Sequence, residues 1–235
     1  MFLIILKHPL KYGGKKMETQ QSIVVEKEEA SANNGRIAML DSYTRMLLSR
    51  LPGNLLYHCA GHTLEDETGV VGVADKLARK EGISPYQREL VVAAAYLHDA
   101  GYIERYNKNE AIGARIAGEV LPLCGYDPME IDLIQKMILA TEMPANPKTH
   151  LEKILCDADV DNLGRNDFFE KNDALRREIG VNDLKGWYEN SIKFMESHQF
   201  YTASAKNLRQ AKKDENILEL KKRAGMLQKR GLHAY

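Results

Sequence analysis

The fold is decided by the stretch Val91-Val92-Ala93-Ala94-Ala95-Tyr96-Leu97-His98-Asp99-Ala100-Gly101-Tyr102. It follows Ser84-Pro85, a helix cap with proline at the first helical position, so a helix is predicted to start there. His98 and Asp99 end this strongly apolar helix. Two polar groups in such a place are costly unless they are paired or bind a metal ion.

Helical patterns continue on both sides of this stretch. From Ile37 onward, apolar residues recur at helical spacing until Pro52-Gly53 stops the pattern. The predicted helical segments cover residues 37–51, 61–80, 85–97, 110–121, 128–139, 151–163, 167–179, 183–198 and 203–229. No convincing alternating strand pattern and no internal repeat is present in the sequence. The sequence therefore predicts an all-α bundle with short loops.

The chain length favours a single domain. With 235 residues there is room for one sizeable core, and a second independent domain would be cramped. Residues 12–36 have little apolar content apart from Ile23 to Val25. Residues 1–36 are therefore predicted to form a flexible N-terminal extension, within which residues 1–16 are hypothesised to be a segment that the fold does not use. Residues 37–180 are predicted to form the helical core. Residues 181–235 are predicted to form C-terminal helices that pack on this core or extend the same domain.

The composition limits the classes of partner. Lysine plus arginine and aspartate plus glutamate number 33 each, so no overall field draws the molecule to nucleic acid or to an anionic membrane. Cys59, Cys124 and Cys156 are odd in number and widely spaced, which fits neither a disulfide framework nor a zinc ribbon. The apolar opening at residues 1–6 is far shorter than a membrane span. A cytoplasmic protein is therefore predicted, with no nucleic-acid or membrane partner.

Histidines and aspartates mark a candidate metal site. A lone histidine in a helical protein is usually a hydrogen-bonded or surface residue, and a lone acidic cluster is usually a cap or a solvated turn. Here, however, His62, the His98-Asp99 pair and an aspartate of the segment 157–161 supply two imidazoles and two carboxylates. This mixed set of nitrogen and oxygen donors suits Mn²⁺, Fe²⁺ or Zn²⁺.

Three segments resemble the HD-domain superfamily of metal-dependent phosphohydrolases in their order and spacing. They cover residues 57–62, 95–102 and 156–164, and the resemblance spans residues 51–165. It implies an HD-domain helical bundle with extra C-terminal helices, like that of a bacterial single-domain HD protein.

The resemblance also implies a ligand set. In the family, the first metal histidine, the His-Asp doublet and a downstream aspartate bind one divalent ion, which implies His62, His98, Asp99 and Asp159 here, with Mn²⁺, Mg²⁺, Fe²⁺ or Zn²⁺ as the ion. Asp159 is preferred to Asp157 because the family's last ligand commonly lies in an Ala-Asp pair entering a helix.

Three residues are expected to take part in catalysis. Asp99 is expected to accept a proton from water. His58 matches the histidine that protonates the leaving oxygen in cyclic nucleotide phosphodiesterases, although Cys59 replaces the asparagine that follows it there; the alternative is a structural histidine. Glu110 is expected to orient water or a metal-ligand histidine, and its alternative role is a contact with the helix dipole.

The function implied by the resemblance is hydrolysis of a phosphomonoester or cyclic phosphodiester bond in a nucleotide or another small phosphate ester. The alternative is a catalytically weak regulatory or nucleotide-binding module on the HD fold.

Only one histidine lies between Asp99 and Asp159, which favours a single ion and argues against iron-dependent oxidation. A homodimer is left open. The candidate phosphate-binding cations, each also readable as a solvated surface charge, are Arg165, Lys136, Lys206 and Arg209.

Overall fold

The computed structural model of the protein describes the backbone of residues 35–232 and the side chains of residues 35–227. Within this range the chain forms ten α-helices and no β-strand, which confirms the predicted all-α fold. The helices are α1 (35–48), α2 (Ala60–Leu64), α3 (Val70–Lys80), α4 (Pro85–Leu97), α5 (Asn109–Val120), α6 (Pro128–Leu139), α7 (His150–Asp159), α8 (Phe168–Glu178), α9 (Leu184–Ser197) and α10 (Ala203–Leu232). Short 3₁₀ turns cover Ala100–Ile103, Leu121–Cys124 and Asp161–Gly164.

Helix α4 lies at the centre of the core. Its predicted cap is present: the Gln87 backbone N–H donates to the Ser84 hydroxyl, the Ser84 backbone N–H donates to the Gln87 side chain, and Pro85 is the first helical residue. Every residue from Leu90 to Leu97 is buried. Helices α3, α6 and α7 pack around α4. Burial on all sides explains why this stretch has no polar face.

Two predicted helices are interrupted in the structure. Segment 61–80 forms α2 and α3 instead of one helix, because Glu65 adopts an extended backbone with ψ 128°. Segment 151–163 ends as an α-helix at Asp159, because Val160 leaves the helical region with φ −104° and ψ 20°. Asp159 was expected to open a helix, and that expectation is wrong: it is the last residue of α7.

Among the described residues, the C-terminal helices belong to the same compact unit as the core, which begins at Arg36. Helix α10 packs along α9 and over the 3₁₀ turn Asp161–Gly164. The predicted extension over 1–36, including the hypothesised segment 1–16, lies outside the described residues except for its last two, which are part of α1. The domain boundaries at 36 and 180 stay predictions. Among the described residues, no helix is long and apolar enough to cross a membrane.

Gly101 allows α5 to begin directly against the end of α4. A Cβ atom added to Gly101 would lie 1.9 Å from the backbone oxygen of Asn109, much closer than two such atoms can approach. The missing side chain therefore permits the contact between this 3₁₀ turn and the first residue of α5. Asp99 and Glu110 line one cavity as a result of this arrangement.

The close approach at Gly101 leads to a stability prediction. We expect Gly101→Ala to lower the free energy of unfolding by about 1–3 kcal/mol, because the start of α5 must move to make room for the methyl group. Urea unfolding followed by circular dichroism measures the change. Gly225→Ala in α10 is the control, since among the described residues no atom outside its own part of the helix lies within 4 Å of its added Cβ. A Gly101→Ala protein as stable as the wild type would contradict the close contact.

Candidate metal centre and its cavity

His98 is held so that one ring nitrogen is free to bind a ligand. The residue caps the C-terminus of α4 and is 1 % exposed. Its Nδ1–H donates to the Ala95 carbonyl at 2.8 Å, which fixes the ring and leaves Nε2 for another partner. Nε2 lies 3.3 Å from Asp99 Oδ2, and neither atom has a hydrogen-bond partner among the described residues. Two buried acceptors facing each other are unfavourable unless a proton or a metal ion lies between them.

Two more side chains reach the same point. His62 in α2 places its Nε2 3.2 Å from Asp159 Oδ1 and 3.6 Å from Asp99 Oδ2. Asp159 Oδ1 lies 3.5 Å from His98 Nε2. Ligand atoms of His62, His98 and Asp99 all lie within 4.8 Å of one another, and Asp159 joins them through its contacts with both histidines. Two imidazoles and two carboxylates in this grouping fit a divalent metal ion.

The charges of the cluster favour a bound cation. Burial raises the pKa of Asp159, but the hydrogen bond with His62 and the proximity of His98 outweigh it and hold the pKa below its ordinary value. Burial also opposes ionisation of Asp99, but the positive charge of nearby His98 lowers the pKa of that carboxyl. Burial lowers the pKa of His98, yet Asp99 and Asp159 raise it well above its ordinary value. The two carboxylates are therefore ionised and attract positive charge to this point.

Asp157 has a different role from Asp159. Its side chain is fully buried and accepts hydrogen bonds from the backbone N–H groups of Tyr201 and Thr202. The Thr202 hydroxyl donates to the same carboxylate at 2.7 Å. Asp157 therefore ties α7 to the segment that precedes α10, while Asp159 contacts the histidines.

None of the four candidate phosphate-binding cations lines the cavity that Asp99 and Glu110 share. Arg165 and Arg209 both pair with Asp161, and Arg165 is only 8 % exposed. Arg165 is therefore not a solvated surface charge; it lines a smaller cavity together with His62 and Asp159, and its contact with phosphate stays a prediction. Lys136 and Lys206 are exposed, as expected of surface charges.

His58 is oriented by Glu178, the last residue of α8, which sequence patterns did not indicate. The His58 Nδ1–H donates to Glu178 Oε1 at 2.5 Å. The backbone N–H groups of Tyr57 and His58 donate to Glu178 Oε2, and the Tyr106 hydroxyl donates to Oε1 at 2.9 Å. The imidazole also stacks on Tyr102 with ring centroids 4.3 Å apart. These contacts fix the ring and leave Nε2 as the nitrogen that Glu178 does not engage.

The protonation of His58 follows from this environment. Burial lowers the pKa of the imidazole, but the hydrogen bond with Glu178 and the negative charge of Asp99 outweigh it and raise the pKa above its ordinary value. The pKa of Glu178 is lowered in turn: burial opposes ionisation, and the hydrogen bond with His58 outweighs it. A protonated imidazole paired with an ionised carboxylate is suited to donate a proton.

A cavity of about 380 Å³ lies beside the cluster and is large enough for a small-molecule ligand. Asp99, Asp159, His58 and Glu110 all line it, so the structure brings these predicted site residues together. Glu110 lies in the first turn of α5, and burial raises the pKa of its carboxyl. A carboxyl with a raised pKa is a better proton acceptor than an ordinary glutamate.

Lys171 in α8 is a second residue that sequence patterns did not indicate. Among the described residues it is the one lysine or arginine that lines the cavity. Its Nζ lies 3.9 Å from Glu65 Oε2, at the limit of an ion pair, and its side chain is 23 % exposed. A lysine within a polar helix has no local feature that distinguishes it from a surface lysine, and the same holds for Glu178 as an acid. Only their positions in the fold identify them.

Comparison with known families agrees with this geometry. A family model described as HD domain matches residues 62–162, and this segment contains His62, His98, Asp99 and Asp159. No curated protein and no solved structure matches the chain. The matched segment contains the central helix α4 and the grouped ligand atoms of His62, His98 and Asp99. Residues 62–162 therefore match the HD-domain family, which confirms the predicted resemblance to that superfamily.

Proposed function

We propose that the protein is a metal-dependent phosphohydrolase that cleaves a phosphomonoester or cyclic phosphodiester bond in a nucleotide or another small phosphate ester. The observation that carries this proposal is the convergence of His62, His98, Asp99 and Asp159 beside a cavity of ligand size. The match of residues 62–162 to the HD family supports it, because that family consists mostly of metal-dependent hydrolases.

We assign the roles of the residues from their positions. A divalent ion bound by His62, His98, Asp99 and Asp159 would lower the pKa of a water molecule and offset negative charge at the phosphoryl group. The ionised carboxylate of Asp99 accepts the proton of the attacking water. His58 donates a proton to the leaving oxygen, so that the alcohol departs as a neutral molecule. Glu178 keeps the His58 ring in the orientation required for this transfer.

Glu110 has a supporting role in this scheme. It lines the same cavity as Asp99 and carries a carboxyl whose pKa is raised by burial. We assign it to the orientation of water in the cavity, with proton acceptance as a second capability.

The proposal is tested by metal analysis and a hydrolysis assay. We expect purified protein to contain a bound divalent ion. It is expected to hydrolyse p-nitrophenyl phosphate or bis(p-nitrophenyl) phosphate when Mn²⁺ is present. Dialysis against EDTA is expected to abolish the activity, and added Mn²⁺ to restore it. A protein that binds metal and nucleotides but hydrolyses no ester would instead be the regulatory or nucleotide-binding module described above.

Lys171 is assigned to the phosphate, because it is the cation that lines the cavity. We expect Lys171→Met to raise KM for the hydrolysed ester about tenfold or more, since a charge-assisted contact with a phosphoryl oxygen is lost. The change in kcat is expected to be smaller. Steady-state kinetics with added Mn²⁺ measures both. Lys136→Met is the matched control, because Lys136 is exposed and pairs with Asp132 outside the cavity. An unchanged KM for Lys171→Met would remove Lys171 from the site.

A further inference from the structure

One wall of the cavity is formed by α8 and α9, and it differs in chemistry from the polar metal cluster. Each helix contributes residues at positions i, i+3, i+4 and i+7, the spacing of one helical face. The α8 residues are Phe168, Lys171, Asn172 and Leu175. The α9 residues are Trp187, Asn190, Ser191 and Phe194, with Met195 beside them. Two helices therefore present continuous faces to one cavity, and both lie beyond the segment 62–162 that matches the HD family.

This wall is mainly apolar and aromatic. Lys171 is the one charged residue that α8 and α9 contribute to the cavity, and it contacts Glu65 near the metal side. Phe194 and Met143 are 42 % and 47 % exposed and also line the cavity. Large apolar side chains that remain exposed next to a cavity favour an apolar ligand group, because its binding removes them from water.

A few polar groups interrupt the apolar wall. Asn172 is 8 % exposed, and its side-chain oxygen accepts a hydrogen bond from the Ser191 hydroxyl at 3.1 Å. The Asn190 amide and the Ser191 hydroxyl line the same cavity and can donate to or accept from a ligand. The wall therefore combines aromatic faces with a small number of hydrogen-bonding groups.

We infer that the α8–α9 wall is the subsite for the organic part of the phosphate ester, and that it takes a flat, uncharged aromatic ring with a hydrogen-bonding edge. The inference rests on the proposed function, which places the phosphate at the metal cluster and Lys171. Trp187 and Phe194 favour an aromatic ring over an aliphatic chain, because aromatic rings gain from offset or edge-to-face packing. The lack of further charge on the wall disfavours a charged group.

Trp187 provides a direct measurement of binding, because it is the only tryptophan in the chain. We expect 4-nitrobenzylphosphonate, which cannot be hydrolysed, to quench the protein fluorescence in a saturable manner in the presence of Mn²⁺. Benzylphosphonate is expected to displace it at a concentration about tenfold lower than methylphosphonate does. Free N-acetyltryptophanamide corrects for absorption by the probe. Absence of saturable quenching, or equal displacement by the two phosphonates, overturns the inference.

Kinetics with matched esters provides the second test. We expect kcat/KM for benzyl phosphate to exceed that for ethyl phosphate about tenfold or more, and Phe194→Ala to reduce this preference. Leu218→Ala in α10 is the control, because Leu218 is 66 % exposed and does not line the cavity. Adenosine monophosphate distinguishes the source of the ring. A kcat/KM for adenosine monophosphate above that for benzyl phosphate indicates a ring carried on a sugar, and a lower kcat/KM indicates a ring attached close to the phosphate.

The two proposals fail in distinguishable ways. Saturable quenching of Trp187 without hydrolysis of any ester would overturn the proposed function and leave the aromatic subsite in place. Hydrolysis of benzyl and ethyl phosphate with equal kcat/KM would leave the hydrolase in place and overturn the subsite.

Discussion

Asp99→Asn is expected to lower kcat/KM for the hydrolysed ester by about 10³-fold. The substitution keeps the shape of the side chain but removes its charge. Asp99 Oδ2 lies 3.3 Å from His98 Nε2 and 3.6 Å from His62 Nε2, so its loss removes a charged donor from the centre of the cluster. It also removes the carboxylate assigned to accept the proton of water.

A stability measurement separates the metal site from turnover. A ligand that binds only the folded protein raises its unfolding temperature, so Mn²⁺ is expected to stabilise the wild type. We expect Asp99→Asn to retain its helical circular dichroism and to lose most of this Mn²⁺-dependent shift. Activity that survives the substitution would show that the cluster is not the reaction centre.

The paired variants Asp159→Asn and Asp157→Asn test the choice between the two aspartates. Asp157 accepts hydrogen bonds from Tyr201 and Thr202, so its substitution is expected to destabilise the fold while the response to Mn²⁺ remains. Asp159 contacts His62, so its substitution is expected to remove the response. The opposite result would assign Asp157 as the ligand.

The buried helix α4 and the polar groups at its end could be predicted because the relevant information is local in the sequence, whereas the grouping of His62 and Asp159 with them was implied by the resemblance to the HD superfamily. An apolar run that ends in His98-Asp99 predicts that the helix is buried. It also predicts that the polar groups at the end of the helix need a partner. The bounds of α7 were less predictable. Its end at Asp159 depends on the backbone conformation of Val160, for which neither residue type nor spacing gives a signal.

Glu178, Lys171 and the α8–α9 wall could not be predicted for a different physical reason. Glu178 meets His58 across 120 positions of the chain, and its side chain has no exposed surface in the fold. In the sequence it is an ordinary acid at the end of a polar helix. Chain-distant contacts between common residue types are fixed by the packing of helices, so they become visible only when the fold is known.

His58 and Glu178 carry the second large prediction. His58→Gln is expected to lower kcat by about 10²–10⁴-fold, because the general acid is lost. Glu178→Gln is expected to lower kcat by about tenfold, since the new amide would still accept one hydrogen bond but would carry no charge. The double variant is expected to be no slower than His58→Gln alone, because Glu178 acts through His58. Glu170→Gln, an exposed acid in the same helix, is the control.

The pH dependence distinguishes this positioning role from a structural one. Burial lowers the pKa of His58, and the hydrogen bond with ionised Glu178 is the main influence that raises it above its ordinary value. His58 must be protonated to donate, so activity is expected to fall as pH rises through this raised pKa. Removing the charge of Glu178 lowers the pKa, and the basic limb of the kcat profile is then expected to move to lower pH. A Glu178→Gln protein that is slower but keeps the wild-type pH profile of kcat would contradict this role. Glu178 would then only hold the backbone of Tyr57 and His58, and its hydrogen bond with the imidazole would have no part in the proton transfer.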